Sequence, residues 1–223
     1  FIQITLILGY HSRLSAQCPA VPSPYTENFG GASLPSCWQQ SATSGDGWKF
    51  TGTPGYAAAN NGRPSGTFAW VDFSGTDAGT VMEVIPVDVS SNTSPQIEFD
   101  FFCFNTTQPT PTNILHIEAN DGTNWVSVAT IQNNTFNGWS PYTYSLVGFD
   151  VNGIVSVRFR AESGGATNDF YNDILVDNVA IREAPTCPSP LLSSFGVSNL
   201  TANSAELNWL AGGNETLWGI EWG

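Results

Sequence analysis

The sequence predicts an all-β protein, in which an antiparallel jelly-roll β-sandwich is followed by a second, partial sandwich. Strand-like segments recur at short intervals, separated by Gly, Asn, Pro and Asp. No apolar period of about 3.6 residues persists over three helical turns. Acidic strand-like segments at residues 25–29 and 173–181 bracket this region. We therefore expect the first and last strands to pair in one sandwich, with carboxylates available where it closes.

The individual strands show the alternation of a half-buried sheet. In the clearest case, residues 96–104, apolar side chains that include Cys103 share one face, whereas Glu98 and Asp100 point away. The dipeptide Asp121-Gly122 predicts a tight hairpin. The predicted strands are residues 67–73, 80–84, 96–104, 114–119, 125–129, 154–161 and 174–181.

The surface is expected to be polar, acidic and poor in charged side chains. Charged residues make up 11% of the 223 residues, below the average of about 25% for globular domains. The net charge is −13, and Lys49 is the only lysine. Because this charge repels phosphates and anionic membranes, it excludes nucleic acid as a partner. Binding of a cation stays open.

The start of the chain resembles an export signal. Residues 1–10 are apolar and lead into a small-residue segment before Cys18, which predicts the remnant of a signal peptide at residues 1–17 and a secreted or cell-surface protein. A spanning helix needs about 20 apolar residues, so we expect no transmembrane segment. The alternatives are a buried N-terminal strand and a lipid-modified Cys18, although Gln17 fits a lipobox poorly.

Cysteine usage fits an oxidising compartment. Four cysteines allow three pairings, and no CxxC or Cys/His spacing indicates zinc. The cysteines are Cys18, Cys37, Cys103 and Cys187.

A boundary follows the last strand of the sandwich. Residues 185–190 are rich in proline and cannot extend a central strand, so they are expected to link a domain at residues 18–184 to a second one at 191–223. The second segment resembles the opening strands of a fibronectin type III domain, with Trp209 in the core-tryptophan position, and this resemblance implies a partial immunoglobulin-like sandwich. Only some three of about seven strands are present, so we expect further domains beyond Gly223.

Short motifs of the first domain resemble the MAM domain and the related cleaved-adhesin and concanavalin-like modules of secreted proteins. The order and spacing of these motifs give the resemblance its weight. With the Cys-Pro linker and the fibronectin-like segment, the arrangement resembles modular secreted Bacteroidetes proteins. The matching stretches are residues 27–29, 34–38, 45–48, 94–101, 157–161 and 173–179.

The resemblance implies two disulfides, one between Cys18 and Cys37 and one between Cys103 and Cys187. Closing such loops is typically worth about 2–4 kcal/mol each. Two alternatives stay open. Cys103 lies on the apolar face of its strand and could be a buried free thiol, or Cys37 could pair with Cys103.

A structural Ca²⁺ is the first site hypothesis. Hard cations take several oxygen ligands, and Glu27 on the first strand and Asp177 on the last are expected to converge where the sandwich closes. Asp72 is a third candidate ligand and Asp46 a weaker one. The competing interpretation is that these carboxylates are hydrogen-bonded to turns at the sheet edge.

Glycan binding is the second site hypothesis. Lectin-like sites stack a sugar on an exposed aromatic ring and fix its hydroxyls with polar side chains. The candidate ligand-binding residues are Trp139 and Tyr142 in one loop cluster and Phe170 and Tyr171 in another. The competing interpretation is packing at the rim, which is favoured for Trp48 and Trp125.

Catalysis is not expected within these residues. Concanavalin-like glucanases use Glu-x-Asp-x-x-Glu on one strand, and here Glu98 and Asp100 are followed by Cys103 in the third position. We therefore expect a non-catalytic adhesion or recognition module of a larger extracellular protein, with a cell-surface protein or glycan as its partner. The alternatives are a carbohydrate-binding accessory domain of a secreted hydrolase and a structural spacer.

Overall fold

The structure, a computed structural model, describes residues 18–74, 79–104, 113–132, 136–165, 169–185, 190 and 194–210. The predicted signal-peptide remnant, Cys187 and residues 211–223 lie outside these ranges. The described strands are β1 (Val21–Pro22), β2 (Tyr25–Glu27), β3 (Gln39–Ser41), β4 (Trp48–Lys49), β5 (Ala69–Val71), β6 (Thr80–Glu83), β7 (Val87–Asp88), β8 (Pro95–Phe102), β9 (Ile114–Asn120), β10 (Trp125–Ile131), β11 (Ser140–Ser145), β12 (Ile154–Val155), β13 (Val157–Glu162), β14 (Ile174–Glu183), β15 (Gly196–Ser198) and β16 (Glu206–Asn208). Two 3₁₀ helices span Tyr56–Asn60 and Asp169–Tyr171.

Two antiparallel sheets form the sandwich, which confirms the predicted fold class. The six-stranded sheet has the order β11-β8-β14-β5-β4, with β2 paired to β14. The five-stranded sheet has the order β10-β9-β13-β6-β3. A small third sheet joins β1, β7 and β12, and β15 pairs with β16. The fibronectin-like identity of the last segment stays a prediction.

The two acidic segments pair as predicted. Strand β2 runs antiparallel to β14, with Glu27 opposite Val179 and Tyr25 opposite Ile181. Strand β5 occupies the same side of β14 further upstream, opposite residues 174–176. The register of β14 against β8 shifts between Asp177 and Ala180. This irregularity, where Asn178 adopts φ 49, lies at the gap between β5 and β2.

The main core fills the space between the two large sheets. On β8 the predicted alternation holds, since Ile97, Phe99 and Phe101 are buried in this core while Glu98 and Asp100 lie on the opposite, outer face. The hairpin predicted at Asp121-Gly122 is confirmed by the antiparallel pairing of β9 with β10.

A second, smaller core lies on the outer face of the six-stranded sheet. It consists of Ala58, Phe68, Trp70, Phe102 and Leu175, and we call it the outer core. Because β5, β8 and β14 carry apolar side chains toward both faces here, the chain segment that contains the first 3₁₀ helix covers the sheet.

The cysteines agree with one of the two disulfides implied by the resemblance. Cys18 and Cys37 are bonded. The second expected bond, from Cys103 to Cys187, does not form, because Cys103 has a free, fully buried thiol. The Cys103 side chain belongs to the main core, where its Sγ lies 3.5 Å from the carbonyl oxygen of Asn172. Burial raises the pKa of this thiol, so its reactivity is low.

Candidate functional site

The outer face of the six-stranded sheet is organised by one arginine. Arg63 follows the first 3₁₀ helix and donates hydrogen bonds to Asp177 and to Asp100 Oδ2, the latter at 2.6 Å. The Asn178 amide donates to the same Asp100 oxygen at 2.8 Å. Strands β8 and β14 present these acids side by side, since Asp177 lies opposite Asp100. The Arg63 side chain is 23% exposed, so the network is partly shielded from water.

Trp139, a predicted sugar-stacking residue, is packed into this network. The Arg63 guanidinium lies 3.9 Å from the centroid of its ring. The ring also contacts Phe68 and Phe102 of the outer core, and its Nε1 donates to the carbonyl of Asn61 at 2.9 Å. These protein contacts occupy the indole, which fixes Arg63 over the sheet.

Tyr142, predicted beside Trp139 as a ligand contact, faces the main core from the edge strand β11. It lies opposite Phe99 and stacks on that ring at 5.9 Å with an interplanar angle of 16°. The ring of Tyr144 also stacks on that of Tyr142, with the two ring centroids 6.2 Å apart. Burial raises the pKa of Tyr142. The structure therefore separates Tyr142 from Trp139. Tyr142 packs against the main core, whereas Trp139 packs against the outer core on the opposite face of the sheet.

Phe170 and Tyr171, the other predicted pair, lie in the second 3₁₀ helix and form a cluster with Tyr56. Ring centroids are 4.3 Å apart for Phe170 and Tyr171, 4.4 Å for Tyr56 and Tyr171, and 5.7 Å for Tyr56 and Phe170. Tyr56 is 50% exposed and has φ 46. A positive φ is rare for an aromatic residue and marks a position held by its surroundings. We call these three residues the aromatic cluster.

A buried carboxylate fixes the loops that carry the aromatic cluster. Asp173 is 1% exposed, and it accepts hydrogen bonds from the backbone N–H of Gly55 at 2.6 Å and of Phe73 at 3.1 Å. It thereby ties the backbone beside Tyr56 to the segment that follows Tyr171. Burial raises the pKa of Asp173 to about 6, against the opposing effect of these two hydrogen bonds.

The predicted calcium ligands do not converge. Asp72 accepts from Lys49 Nζ at 2.9 Å, and Asp177 is paired with Arg63. Glu27 Oε1 accepts from the Phe29 N–H at 2.6 Å. Among the described residues, no group of three or more His, Cys, Asp or Glu side chains could hold a metal ion. Calcium binding stays a prediction, and it lacks an assembled ligand set.

The pKa values of two of these acids reflect their burial and partners. At Asp72, burial opposes ionisation, but hydrogen bonds from Lys49 and Ser74 outweigh it and hold the pKa below its usual value. At Asp177, burial raises the pKa although Asn178 and Arg63 act in the opposite direction. Asp46, the weaker candidate, lies 3.0 Å from Lys49 in a second ion pair.

An open groove lies beside the network, along the pairing of β2 with β14. Its volume is ≈ 400 Å³. Asn178 lines this groove and also binds Asp100, so the groove and the Arg63 network share a wall. Two of its polar side chains accept from nearby backbone N–H groups, Glu27 from Phe29 at 2.6 Å and Asn28 from Gly30 at 3.1 Å. The lining residues are Thr26, Glu27, Asn28, Asn178 and Val179.

Sequence reasoning did not assign a role to Arg63 or Asp173, and it named Tyr56 only among several loop aromatics available for stacking, not among the binding residues. Only five arginines and one lysine accompany 19 acidic residues, so each basic side chain was a candidate partner for several carboxylates. The local sequence around Arg63 does not reveal which ones it meets. Tyr56 was recognisable as a loop aromatic, but its proximity to residues far along the chain is a property of the fold.

Comparisons with known proteins give structural likenesses alone, since no family model and no curated protein matches the chain. The structure of TmCBM61 in complex with beta-1,4-galactotriose is 12% identical, with a TM-score of 0.46, over 70% of this chain and 94% of that one. The K2 cleaved adhesin domain of Lys-gingipain is 14% identical, with a TM-score of 0.46, over 73% and 99%.

A third likeness is the CBM22-1 xylan-binding domain from Paenibacillus barcinonensis Xyn10C. It is 13% identical, with a TM-score of 0.41, over 75% of this chain and 100% of that one. At these identities and TM-scores, the likenesses identify neither a ligand nor a site. Function is therefore argued from the side chains of this chain.

Proposed function

We propose that residues 18–184 form a non-catalytic extracellular recognition module that binds a neutral glycan through the aromatic cluster. The observation that carries the proposal is the exposure of Tyr56, which is 50% exposed although it contacts two other rings. Sugar rings stack their C–H faces on such aromatic surfaces. Asp173 holds the supporting backbone in place, so the surface is organised before a ligand arrives.

The overall charge favours a neutral ligand. At −13, the chain repels acidic polysaccharides at a distance set by the ionic strength. The acids that a glycosidase would need are committed elsewhere. Glu98 is paired with Arg182, and Asp100 is paired with Arg63, which supports binding without hydrolysis.

The test is binding of the full 223-residue chain to a panel of neutral and acidic polysaccharides by affinity electrophoresis. We expect retardation by at least one neutral polysaccharide and none by acidic ones. The variant Tyr56→Ala should weaken binding roughly tenfold, because one stacked ring contributes about 0.5–1.5 kcal/mol beyond its buried area. Tyr56→Phe keeps the ring and should bind like the parent chain.

A second exposed aromatic residue gives the matched control. Phe136 is 57% exposed and lies outside the aromatic cluster, so Phe136→Ala should leave binding unchanged. Equal losses in Tyr56→Ala and Phe136→Ala, or no retardation by any neutral polysaccharide, would refute the proposal.

Stacking of a glycan on the aromatic cluster would suit both an adhesin and an accessory domain of a secreted hydrolase. An adhesin would bind cells in a manner that the free glycan inhibits, whereas an accessory domain would bind an insoluble polysaccharide. The MAM-like and fibronectin-like identities and export belong to this proposal as well, whereas a structural Ca²⁺ is a separate hypothesis. Calcium would be tested separately, since the aromatic cluster does not depend on it.

A further inference from the structure

A pocket on the opposite sheet has the composition of a second sugar site. It lies on the outer face of the five-stranded sheet and has a volume of ≈ 250 Å³. The Cys18–Cys37 disulfide forms part of its wall, and we call it the disulfide pocket. Its lining residues are Cys18, Cys37, Gln39, Glu83, Val84, Pro86, Asn120, Trp125 and Ser156.

The polar lining comes from two pairs of neighbouring residues, which lie on either side of β13. Gln39 on β3 lies opposite Glu83 on β6, and Asn120 on β9 lies opposite Trp125 on β10. Successive residues of a strand alternate between faces, and the inward neighbours Met82 and Ala119 are in the main core. Glu83 and Asn120 therefore point outward, on the side where the pocket opens.

Trp125 is held in a fixed orientation. The Arg158 guanidinium lies 4.4 Å from the centroid of its ring, and Arg158 Nε donates to Glu118 Oε2 at 2.6 Å. Glu118 also binds Arg160 at 3.0 Å. The ring that lines the pocket is thus supported from outside it by a chain of ion pairs, as a preorganised stacking surface requires.

Three polar side chains inside the pocket are uncommitted, whereas the Asn120 side chain accepts from the Gly122 N–H at 2.8 Å. Gln39, Glu83 and Ser156 make no side-chain hydrogen bond or ion pair within the described part of the chain, whereas Glu118 and Glu162 nearby are both engaged by arginine. A carboxylate, an amide and a hydroxyl that converge on a concavity beside an indole are the groups that orient a sugar.

We propose that the disulfide pocket binds the terminal pyranose unit of a neutral glycan. The Glu83 carboxylate accepts hydrogen bonds from sugar hydroxyls, and the Gln39 amide and Ser156 hydroxyl both donate and accept. The lining residues include a carboxylate and no basic side chain, and the neighbouring Arg158 is already paired with Glu118, which disfavours acidic sugars. This site is separate from the aromatic cluster and does not depend on it. Two sites on one chain would raise avidity for a branched or repeating glycan.

The test uses the full chain and NMR of the indole N–H groups. The Trp125 resonance is assigned with Trp125→Phe, and methyl glycosides of glucose, galactose, mannose, xylose and N-acetylglucosamine are each titrated to about 50 mM, above the millimolar Kd that a weak site would have. We expect saturable shifts of this resonance with at least one glycoside. Glu83→Gln and Ser156→Ala should each weaken that binding several-fold.

Three comparisons make the result decisive. Ser127→Ala changes an exposed serine of β10 outside the pocket and should bind like the parent chain. Tyr56→Ala should leave the Trp125 shifts unchanged, so that loss of the aromatic-cluster site and loss of this site are distinguishable. Choline is titrated as well, since a quaternary ammonium ion binds to aromatic rings. The proposal is overturned if no glycoside shifts the resonance, if binding survives both pocket variants, or if choline shifts the resonance and the glycosides do not.

Discussion

The two outer faces of the sandwich differ in what lies over them. On the six-stranded sheet, a chain segment covers Phe68, Trp70, Phe102 and Leu175 in the outer core. On the five-stranded sheet, the outward side chains form a ladder of ion pairs around Glu118. The described residues form no second core on this side, and we call it the bare face. Both faces place a cation over a tryptophan, Arg63 over Trp139 and Arg158 over Trp125. Covering makes the first tryptophan structural, whereas the second lines a pocket.

The difference follows from strand composition. Covered strands carry consecutive apolar residues, as at Phe101 and Phe102, because both faces are buried. The bare strand β13 alternates strictly, since Val157, Phe159 and Ala161 are buried while the residues between them face outward. A sheet face that must be covered recruits loops, and those loops then supply the aromatic cluster. An uncovered face supplies its site from the strands themselves.

Truncating the outer core is the strongest way to break this comparison. Phe102→Ala should reduce the free energy of unfolding by about 3–5 kcal/mol, the range for a buried aromatic residue, although Phe102 lies outside the main core. Phe101→Ala should have a similar effect. On the bare face, His116→Ala should lower stability by under about 1 kcal/mol, because its hydrogen bond to Glu162 is exposed to solvent. Urea denaturation measures all three, and a Phe102→Ala effect as small as that of His116→Ala would contradict the covered face.

Removal of Arg63 should have the next largest effect. Arg63→Ala leaves Asp177, whose side chain is 6% exposed, without its charged partner. We expect a loss of about 2–4 kcal/mol, somewhat below the value for a fully buried pair. The matched control is Arg182→Ala on the same sheet, where the arginine is 48% exposed and the loss should be under about 1 kcal/mol. Equal losses would show that burial does not distinguish the two pairs.

The pH dependence of stability should report Asp173, the anchor of the covering segment. Because its pKa is raised to about 6 from 3.8, the folded state binds a proton more tightly than the unfolded state. The stabilising contribution of this group is present below the unfolded value and is lost as the pH rises through about 6. A shift of this size corresponds to about 2–3 kcal/mol.

The measurement compares denaturation of the parent chain and Asp173→Asn between about pH 4 and pH 7, the window set by the folded and unfolded values. The difference in unfolding free energy between the two proteins should change with pH across this window and be flat above it. A pH-independent difference would mean that Asp173 keeps an ordinary pKa in the folded protein.

Calcium should have the smallest effect. Asp72 and Asp177 are held by Lys49 and Arg63, so a cation would have to displace both. A ligand that binds only the native state raises Tm by mass action. Because we expect no such binding here, the Tm in millimolar Ca²⁺ and the Tm in EDTA should agree within about 1 °C. A Tm several degrees higher in Ca²⁺ than in EDTA, which Asp177→Asn abolishes, would restore the calcium hypothesis. It would also show that Ca²⁺ displaces the ion pairs of Asp72 and Asp177.

The sequence by itself determined the all-β class, most strand positions, the pairing of the two acidic segments and the Cys18–Cys37 bond that the family resemblance implied. Alternation, turn dipeptides and order along the chain are local signals, so they can be read without coordinates. The partners of Asp72, Asp177 and Trp139, the free thiol of Cys103, and the meeting of Tyr56 with Phe170 and Tyr171 were decided by the tertiary structure. Each depends on side chains that are distant in sequence, and which of them meet is fixed only when the sheets pack and the loops cover one face.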